Sequence, residues 1–328
     1  MNTKTLNRQK LINIVTALMT VDDEYFIEPL ENILKEIKKL NSTKDEYNKN
    51  INYLFYELGM KNQIKKVQEI FLNFEDLKNY LKDDNDKKFN IKENIYNILD
   101  GAIYGGQIEM VDYLLTAKNL PNKIKLNIDY NSGNALSMAS FHGHLEIVDY
   151  LLTSPRLKQH ANINIDNDKP IYYAADFEFH YAPRKHQNNE VIKYLLTNPK
   201  LKQHANPNVI YHLPFQEACR HANIDIMDML WNLKGFDRNL SLYSLNANGQ
   251  STFELACNNT HQDLEPIIYL LNVCKIQEDK NIKKFIKDNQ DNEAVIYYMD
   301  YIKKKKNYDN LITELKNDKV TTAKIKKI

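Results

Sequence analysis

The sequence predicts an all-α protein built from stacked pairs of short helices, and three observations support this fold class. Residues 150–162 recur as residues 194–206, with eleven of thirteen positions identical at an offset of 44. Amphipathic helix pairs recur along the chain at nearly constant spacing. Only 8 glycines and 9 prolines occur in 328 residues, which disfavours a turn-rich β-fold. A short helix pair cannot bury its apolar face alone, so the units are expected to stack into a solenoid.

A small residue near the end of the first helix marks each unit. The spacings between these residues are 37, 35, 44 and 38, and the residues are Ala102, Ala139, Ala174, Ala218 and Ala256. A degenerate unit precedes them, with Leu58 in the same position and a second helix that carries Ile64, Val67, Ile70 and Phe71. The array therefore has about five to six helix pairs. Gly106 and Gly143 fall in the turn between the two helices, where a positive φ is useful.

The segments on either side of the array are predicted to be helical caps, because a solenoid needs its last apolar face covered. Apolar residues at helical spacing predict two or three helices before the array and further helices after it. The predicted organisation is a cap over residues 1–50, repeats over 51–275, and a cap with a basic tail over 276–328. Residues 301–328 hold 9 lysines and 3 acids. This excess fits either a solvated helix face or a basic patch, and we favour the solvated face.

Two motifs resemble those of a known family. Residues 169–174 read Lys-Pro-Ile-Tyr-Tyr-Ala and residues 213–218 read Leu-Pro-Phe-Gln-Glu-Ala, which is similar to the ankyrin-repeat signature T-P-L-H-x-A. Residues 143–152 are close to the consensus of the second half of that repeat. The extended form Leu-Leu-Thr-Ser-Pro-x-Leu-Lys-x-His-Ala also resembles repeats of secreted ankyrin effectors of intracellular bacteria of the Legionella and Coxiella type.

The resemblance implies a protein-binding scaffold without a catalytic site. Its concave surface, formed by first helices and hairpin tips, is expected to bind a partner. A secreted effector that binds a host protein is the narrower interpretation. The alternatives are an enzyme with a small cryptic site in the flanking helical segments and an ordinary cytoplasmic ankyrin adaptor. By register, the candidate partner-binding residues on first helices and tips are Tyr130, Asn131, Ser137, Phe141, Asp166, Tyr172, Tyr211, Gln216 and Arg220.

An insertion at residues 176–189 separates the two helices of the third full repeat. Its aromatic residues alternate along the chain and complete the set of candidate partner-binding residues: Phe177, Phe179 and Tyr181. Exposed aromatic residues on a loop usually serve binding, since loops carry function on a rigid scaffold. The alternative is that these side chains fold back and cover a local gap. The sequence leaves both interpretations open.

Composition and spacing argue against other classes of function. Cys219, Cys257 and Cys274 include no CxxC pair, which indicates a reducing, intracellular location. Cys219 and Cys257 each follow the small alanine of their unit, which predicts packing roles for these two. The nine histidines show no ligand spacing, so no metal is expected. No Walker or dinucleotide glycine motif is present, so no other cofactor is expected. The net charge of +1 does not favour nucleic acid. No apolar stretch approaches 18 residues, so no membrane span is expected. Secretion by a bacterium into the host cytoplasm remains compatible with this location, and the oligomeric state stays open.

Overall fold

The computed structural model describes residues 8–21, 27–40, 44–75, 91–118, 120–175, 185–208, 214–246 and 248–325. The chain divides into two compact units, Met1–Asn206 and Pro207–Ile328. Over the residues described, the regular elements are helices, and an isolated bridge between Leu245 and Ser251 is the sole β-type pairing. The prediction of an all-α chain is therefore confirmed for this part of the sequence.

Unit 1 contains ten described α-helices and one short 3-10 turn. The helices are α1 (Arg8–Met19), α2 (Ile27–Leu40), α3 (Lys44–Met60), α4 (Ile64–Leu72), α5 (Ile91–Tyr104), α6 (Ile108–Thr116), α7 (Tyr130–Phe141), α8 (Leu145–Thr153), α9 (Ile165–Ala175) and α10 (Lys185–Thr197). The 3-10 turn is Pro121–Lys123.

Consecutive helices of unit 1 pair, and the pairs stack. The first helices α3, α5, α7 and α9 pack against one another in chain order, and the second helices α6, α8 and α10 form a neighbouring layer. Leu58, Ala102, Ala139 and Ala174 have no exposed surface, so the predicted small-residue position lies in the core between the two layers. Helix α3, the first helix of the degenerate unit, begins at Lys44 and crosses residue 50. Helices α1 and α2 pack on it.

Two glycines allow α3 and α5 to approach each other closely. A Cβ atom on Gly101 would lie 1.9 Å from the Tyr56 carbonyl oxygen, and a Cβ on Gly59 would lie 1.9 Å from the Ile98 carbonyl oxygen. No larger residue fits at either position, because backbone atoms occupy the space. This contact brings Tyr56 against the C-terminal half of α5.

The turn between paired helices has a repeated hydrogen-bond pattern. Gly106 and Gly143 have φ values of 71° and 70°, as predicted from the sequence. The residue that follows each glycine donates its N–H to the small-residue carbonyl, at 2.8 Å from Gln107 to Ala102 and 2.9 Å from His144 to Ala139. This is the bonding of a helix C-terminus closed by a left-handed residue.

The duplicated segment folds the same way twice. Ala161 donates to the Leu151 carbonyl and Ala205 to the Leu195 carbonyl, both at 2.9 Å. His160 and His204 each place Nε2 3.0 Å from a carbonyl oxygen six residues earlier. These histidines close a loop, as expected for turn histidines rather than metal ligands.

Unit 2 contains seven described helices. They are α11 (Pro214–Arg220), α12 (Ile224–Trp231), α13 (Arg238–Tyr243), α14 (Thr252–Cys257), α15 (Glu265–Asn272), α16 (Lys280–Asp288) and α17 (Glu293–Ile325). Helices α11 and α12 form one pair and α14 and α15 another, and α14 also packs against α16 and α17.

The predicted C-terminal helices cover the last repeat pair of unit 2. The Phe253 ring lies 6.2 Å from the Phe285 ring and 4.9 Å from the Tyr298 ring, measured between centroids. Helix α17 then continues with residues 303–311 exposed, which agrees with a solvated basic face. No helix in the described ranges combines the length and apolar character that a membrane crossing requires.

Candidate functional site

Half-exposed aromatic side chains run across the four first helices of unit 1. We call this set the aromatic surface, and it consists of Tyr56, Tyr96, Tyr104, Phe141, Tyr172 and Tyr173. Tyr56 and Tyr104 have ring centroids 5.9 Å apart. His142 continues the row at 4.5 Å from Tyr104 and 5.0 Å from Phe141. Tyr173 follows at 5.8 Å from Phe141 and 5.4 Å from Tyr172. The rings therefore form a continuous row over α3, α5, α7 and α9.

Helical spacing places a carboxylate in this surface. Tyr96, Asp100 and Tyr104 follow one another at four-residue intervals on α5, so they share one face of the helix. The close approach of α3 adds Tyr56 beside them. Burial and the nearby Tyr104 and Asp100 raise the Tyr56 pKa above its usual value, in that order of size.

Asp100 is held by the next repeat. The Tyr130 hydroxyl and the Asn134 Nδ2 both donate to Asp100 Oδ1, the latter at 2.9 Å. The Tyr130 ring stacks on Tyr96 with centroids 4.1 Å apart and an interplanar angle of 26°. Burial raises the pKa of the Asp100 carboxyl to about 7, although the Asn134 hydrogen bond acts in the opposite direction. No cationic side chain among the described residues forms an ion pair with Asp100.

The second-helix layer uses the same tyrosine–aspartate pairing between successive repeats. The Tyr150 hydroxyl donates to Asp112 Oδ1 at 2.6 Å, and Arg156 Nη1 lies 2.6 Å from Asp112 Oδ2. The Tyr194 hydroxyl donates to Asp149 Oδ1 one repeat later. This layer is thus linked from α6 to α10 by side-chain hydrogen bonds.

Residues 99–198 match the protein family described as ankyrin repeats, in three copies. This segment is an array of ankyrin repeats. The match runs from the middle of α5 to the end of α10, and it confirms the resemblance to ankyrin repeats over this segment and the fold class. No curated protein and no solved structure matches the chain. Most of the aromatic surface lies on first helices of the matched ankyrin repeats, whereas Tyr96 lies just before the match and Tyr56 lies on α3, in the preceding unit.

Three predicted partner-binding residues are buried. Tyr130, Ser137 and Gln216 are 7%, 1% and 1% exposed. Tyr130 serves the Asp100 contact, and Gln216 donates to the Ser244 carbonyl at 2.9 Å inside unit 2. A partner needs exposed side-chain surface, so this burial argues against direct contact at the three positions. The prediction used only the position of each residue within the repeat, which places all three on first helices or tips. Position alone does not distinguish a side chain that faces the next repeat from one that faces solvent.

The other described candidates keep accessible surface. Phe141 and Tyr172 lie in the aromatic surface of the ankyrin array, both near Tyr173. Asn131 and Asp166 are exposed at hairpin tips with φ values of 47° and 50°. Asp166 begins three successive left-handed residues at the start of α9, a conformation that Asp and Asn tolerate better than most residues. These four residues are all in unit 1.

The remaining candidates fall in unit 2 or outside the described residues. Arg220 in unit 2 is half-buried and bonds Glu217, with Nη2 2.6 Å from the Glu217 Oε2 atom. The four candidates that lie outside the described residues are Phe177, Phe179, Tyr181 and Tyr211.

The C-terminal end of the predicted insertion is part of α10. Asn188 is fully buried, and its Nδ2 donates to the Phe141 carbonyl at 3.1 Å and to the Ala174 carbonyl at 3.2 Å. In the preceding two ankyrin repeats, the backbone N–H after the turn glycine serves the small-residue carbonyl. In the third repeat, where the turn is longer, the Asn188 side chain therefore makes the hydrogen bond to the small-residue carbonyl that a backbone N–H makes in the other two. This end of the insertion is packed against the repeat.

Five residues of this site were not among the candidates predicted from the sequence: Tyr56, Tyr96, Asp100, Tyr104 and Tyr173. The four-residue spacing of Tyr96, Asp100 and Tyr104 was a usable signal, since those positions share a helix face. No comparable signal marks Tyr56, because its position depends on the close packing of α3 and α5 at Gly101.

The cysteines are unsuited to nucleophilic chemistry at neutral pH. All three are buried, and burial raises the pKa of Cys219 well above its usual value and that of Cys274 to about 12. Burial also raises the Cys257 pKa. Within the described ranges, no group of three or more His, Cys, Asp or Glu residues could hold a metal ion.

Proposed function

We propose that this protein is a non-catalytic scaffold that binds a protein partner through the aromatic surface of unit 1. Ankyrin repeats imply such a scaffold, and the aromatic surface supports its location. Six aromatic side chains stay partly exposed along four packed helices, although an exposed aromatic ring gains free energy when it is buried. Tyrosine is among the residues that most often dominate binding free energy at protein interfaces.

The rival function is an enzyme whose site lies in the flanking helical segments. Turnover of a defined substrate by the full chain that survives removal of the aromatic surface would favour the enzyme.

The decisive experiment removes the aromatic surface without touching the core. Tyr104→Ser, Phe141→Ser and Tyr172→Ser are combined in one variant, since all three side chains are exposed or half-exposed. The matched control is Leu72→Ser, Tyr308→Ser and Leu311→Ser, which changes three side chains that are 71%, 64% and 56% exposed elsewhere. Partners are captured by a photo-crosslinking residue placed at position 173 in the aromatic surface or at position 305 outside it, since neither variant changes these positions.

The proposal predicts a specific crosslinked protein at position 173 that the control variant retains and the aromatic variant loses. Both variants should keep the melting temperature within a few degrees, because surface substitutions usually change stability little. Equal crosslinking by the two variants would contradict a partner site on the aromatic surface, although ankyrin repeats could still bind elsewhere.

The narrower proposal, a bacterial effector delivered into host cells, rests only on the extended repeat motif. Deleting the last 20 or so residues tests it. The buried residues of α17, which are Ala294, Val295 and Tyr298, precede the deleted part, so the fold should survive. Delivery of a reporter fusion should stop if this tail carries the secretion signal. Unchanged delivery would remove the tail from the proposal.

A further inference from the structure

The carboxylate of Asp100 lies in the aromatic surface, and its surroundings are unusual for a charged group. Tyr56, Tyr96 and Tyr104 surround it, and the two hydrogen bonds that it accepts both reach Oδ1. A half-buried carboxylate is normally stabilised by a cation or by several hydrogen-bond donors. Over the described residues, Oδ2 has neither a donor nor a cationic partner. Lys92 is on the same helix, but its ammonium lies over Tyr96, 6.0 Å from the ring centroid.

The second-helix layer of the same repeats shows the completed form of this arrangement. Asp112, like Asp100, receives a tyrosine hydroxyl from the next repeat on its Oδ1 atom. There, however, Arg156 places its guanidinium 2.6 Å from Oδ2. The two sites therefore use the same anchor for the carboxylate and differ in the cation. Burial keeps the pKa of Asp100 near 7, which is consistent with a carboxyl group that lacks a positive neighbour.

The tyrosines around Asp100 fit a guanidinium in particular. A planar guanidinium can stack on an aromatic ring while it donates to a carboxylate, and it is more weakly hydrated than an ammonium. Tyr104 is 41% exposed, so the site is open to solvent on that side. The angle of 57° between the Tyr56 and Tyr104 rings gives two differently oriented faces beside the carboxylate.

We propose that Asp100, together with Tyr56, Tyr96 and Tyr104, binds an arginine side chain of the protein partner. The guanidinium would donate to Asp100 Oδ2 and stack on an exposed tyrosine face, as Arg156 donates to Asp112. This inference rests on the proposed function and names the chemistry that the aromatic surface recognises.

The test uses the full chain and three degenerate libraries of nine-residue peptides with uncharged flanking positions. The central residue is arginine, lysine or citrulline, and citrulline keeps the shape of arginine without its charge. Binding is measured by fluorescence polarisation for the wild type, Asp100→Asn and Asp112→Asn. Asp112→Asn is the matched control, since it changes a second carboxylate that a tyrosine of the next repeat anchors.

The wild type should bind the arginine library at least about fivefold more tightly than the citrulline library. Asp100→Asn should remove that preference, whereas Asp112→Asn should keep it. Equal binding of the arginine and citrulline libraries, a preference that survives in Asp100→Asn, or no binding of any library would each overturn the proposal. Lysine binding equal to arginine binding would overturn the assignment of a guanidinium.

The variants also separate this inference from the proposed function. If the aromatic triple variant loses the crosslinked partner and Asp100→Asn keeps it at full strength, the surface binds a protein without using arginine. If neither variant affects the partner, the proposed location fails as well.

Discussion

The two helix layers of unit 1 treat the same residue pair differently. In the second-helix layer, Tyr150 and Arg156 complete the bonding of Asp112, and the pairing repeats at Asp149. In the first-helix layer, Tyr130 and Asn134 bond one oxygen of Asp100 and leave the other among partly exposed tyrosines. The pairing of Asp112 is therefore completed within the repeats, whereas that of Asp100 keeps polar and aromatic capacity for a partner. A repeat array can therefore bind a partner at a carboxylate that lacks the cation which the equivalent pairing has elsewhere in the array.

The largest expected effect comes from breaking the contact that builds the first-helix layer. Gly101→Ala should destabilise the protein by about 3 kcal/mol or more, because the new Cβ would meet the Tyr56 carbonyl oxygen at 1.9 Å. The gain in helix propensity, about 1 kcal/mol, is smaller. Chemical denaturation measures the change. Gly235→Ala is the control, since nothing lies within 4 Å of its Cβ position and only its φ of 86° opposes the substitution. Equal losses in the two variants would contradict the close packing of α3 and α5.

The second prediction concerns the pH dependence that Asp100 contributes. The carboxyl ionises near its ordinary value of 3.8 in the unfolded chain and near 7 in the folded protein. The folded state binds more protons between these values, so its stability should fall as pH rises from about 4 to about 7 and then level off.

Asp100→Asn should therefore stabilise the protein by on the order of 2 kcal/mol at about pH 8 and have little effect at about pH 4. Urea unfolding at the two pH values measures this difference. Asp112→Asn should give no such gain, because Arg156 pairs with that carboxylate. A pH-independent effect of Asp100→Asn would show that the carboxyl is not the group responsible.

A smaller effect is expected from opening the second-helix layer. Tyr150→Phe removes the hydroxyl that donates to Asp112 and should cost about 1.5 kcal/mol, the low end of the usual range for a hydrogen bond to a charged group, because Tyr150 is half-exposed. Thermal unfolding should show a lower melting temperature, and peptide binding at the aromatic surface should not change. A melting temperature equal to that of the wild type would mean that the bond adds nothing beyond solvation.

The smallest effect is expected for the equivalent tyrosine one repeat earlier. Tyr113 has a buried hydroxyl without a hydrogen-bond partner among the described residues, and its ring stacks on Phe71. Tyr113→Phe should be neutral or should stabilise the protein by up to about 1 kcal/mol, because an unsatisfied buried hydroxyl is removed. Tyr150→Phe is measured in the same denaturation assay for comparison. If the two variants lost similar amounts of stability, the two hydroxyls would be equally hydrogen-bonded, which would contradict this prediction.

The sequence explains why Tyr113 lacks the partner that Tyr150 has. When α4 and α6 are aligned at Ile64 and Ile108, Gln68 stands where Asp112 stands one repeat later. Between the second helices α10 and α12, the aspartate and the tyrosine of this pairing are both replaced. Lys193 replaces the aspartate in α10, and Met229 replaces the tyrosine in the next second helix, α12. The pairing then returns in unit 2, where Tyr269 donates to Asp228 at 3.0 Å. The pairing can therefore be read from the sequence only after one example is seen in three dimensions.

The sequence by itself determined the helix pairs, the buried small residues and the glycine turns. These features depend on local periodicity and on backbone conformation, which a few neighbouring residues dictate. It also placed Phe141 and Tyr172 on the first helices. Only the tertiary structure decided that Tyr130, Ser137 and Gln216 turn inward and that Tyr56 reaches Asp100 and Tyr104. Those outcomes depend on how closely two helices approach and which side chains of the next repeat fill the space between them. Such contacts join residues about 30 to 50 positions apart, beyond the range of a local pattern.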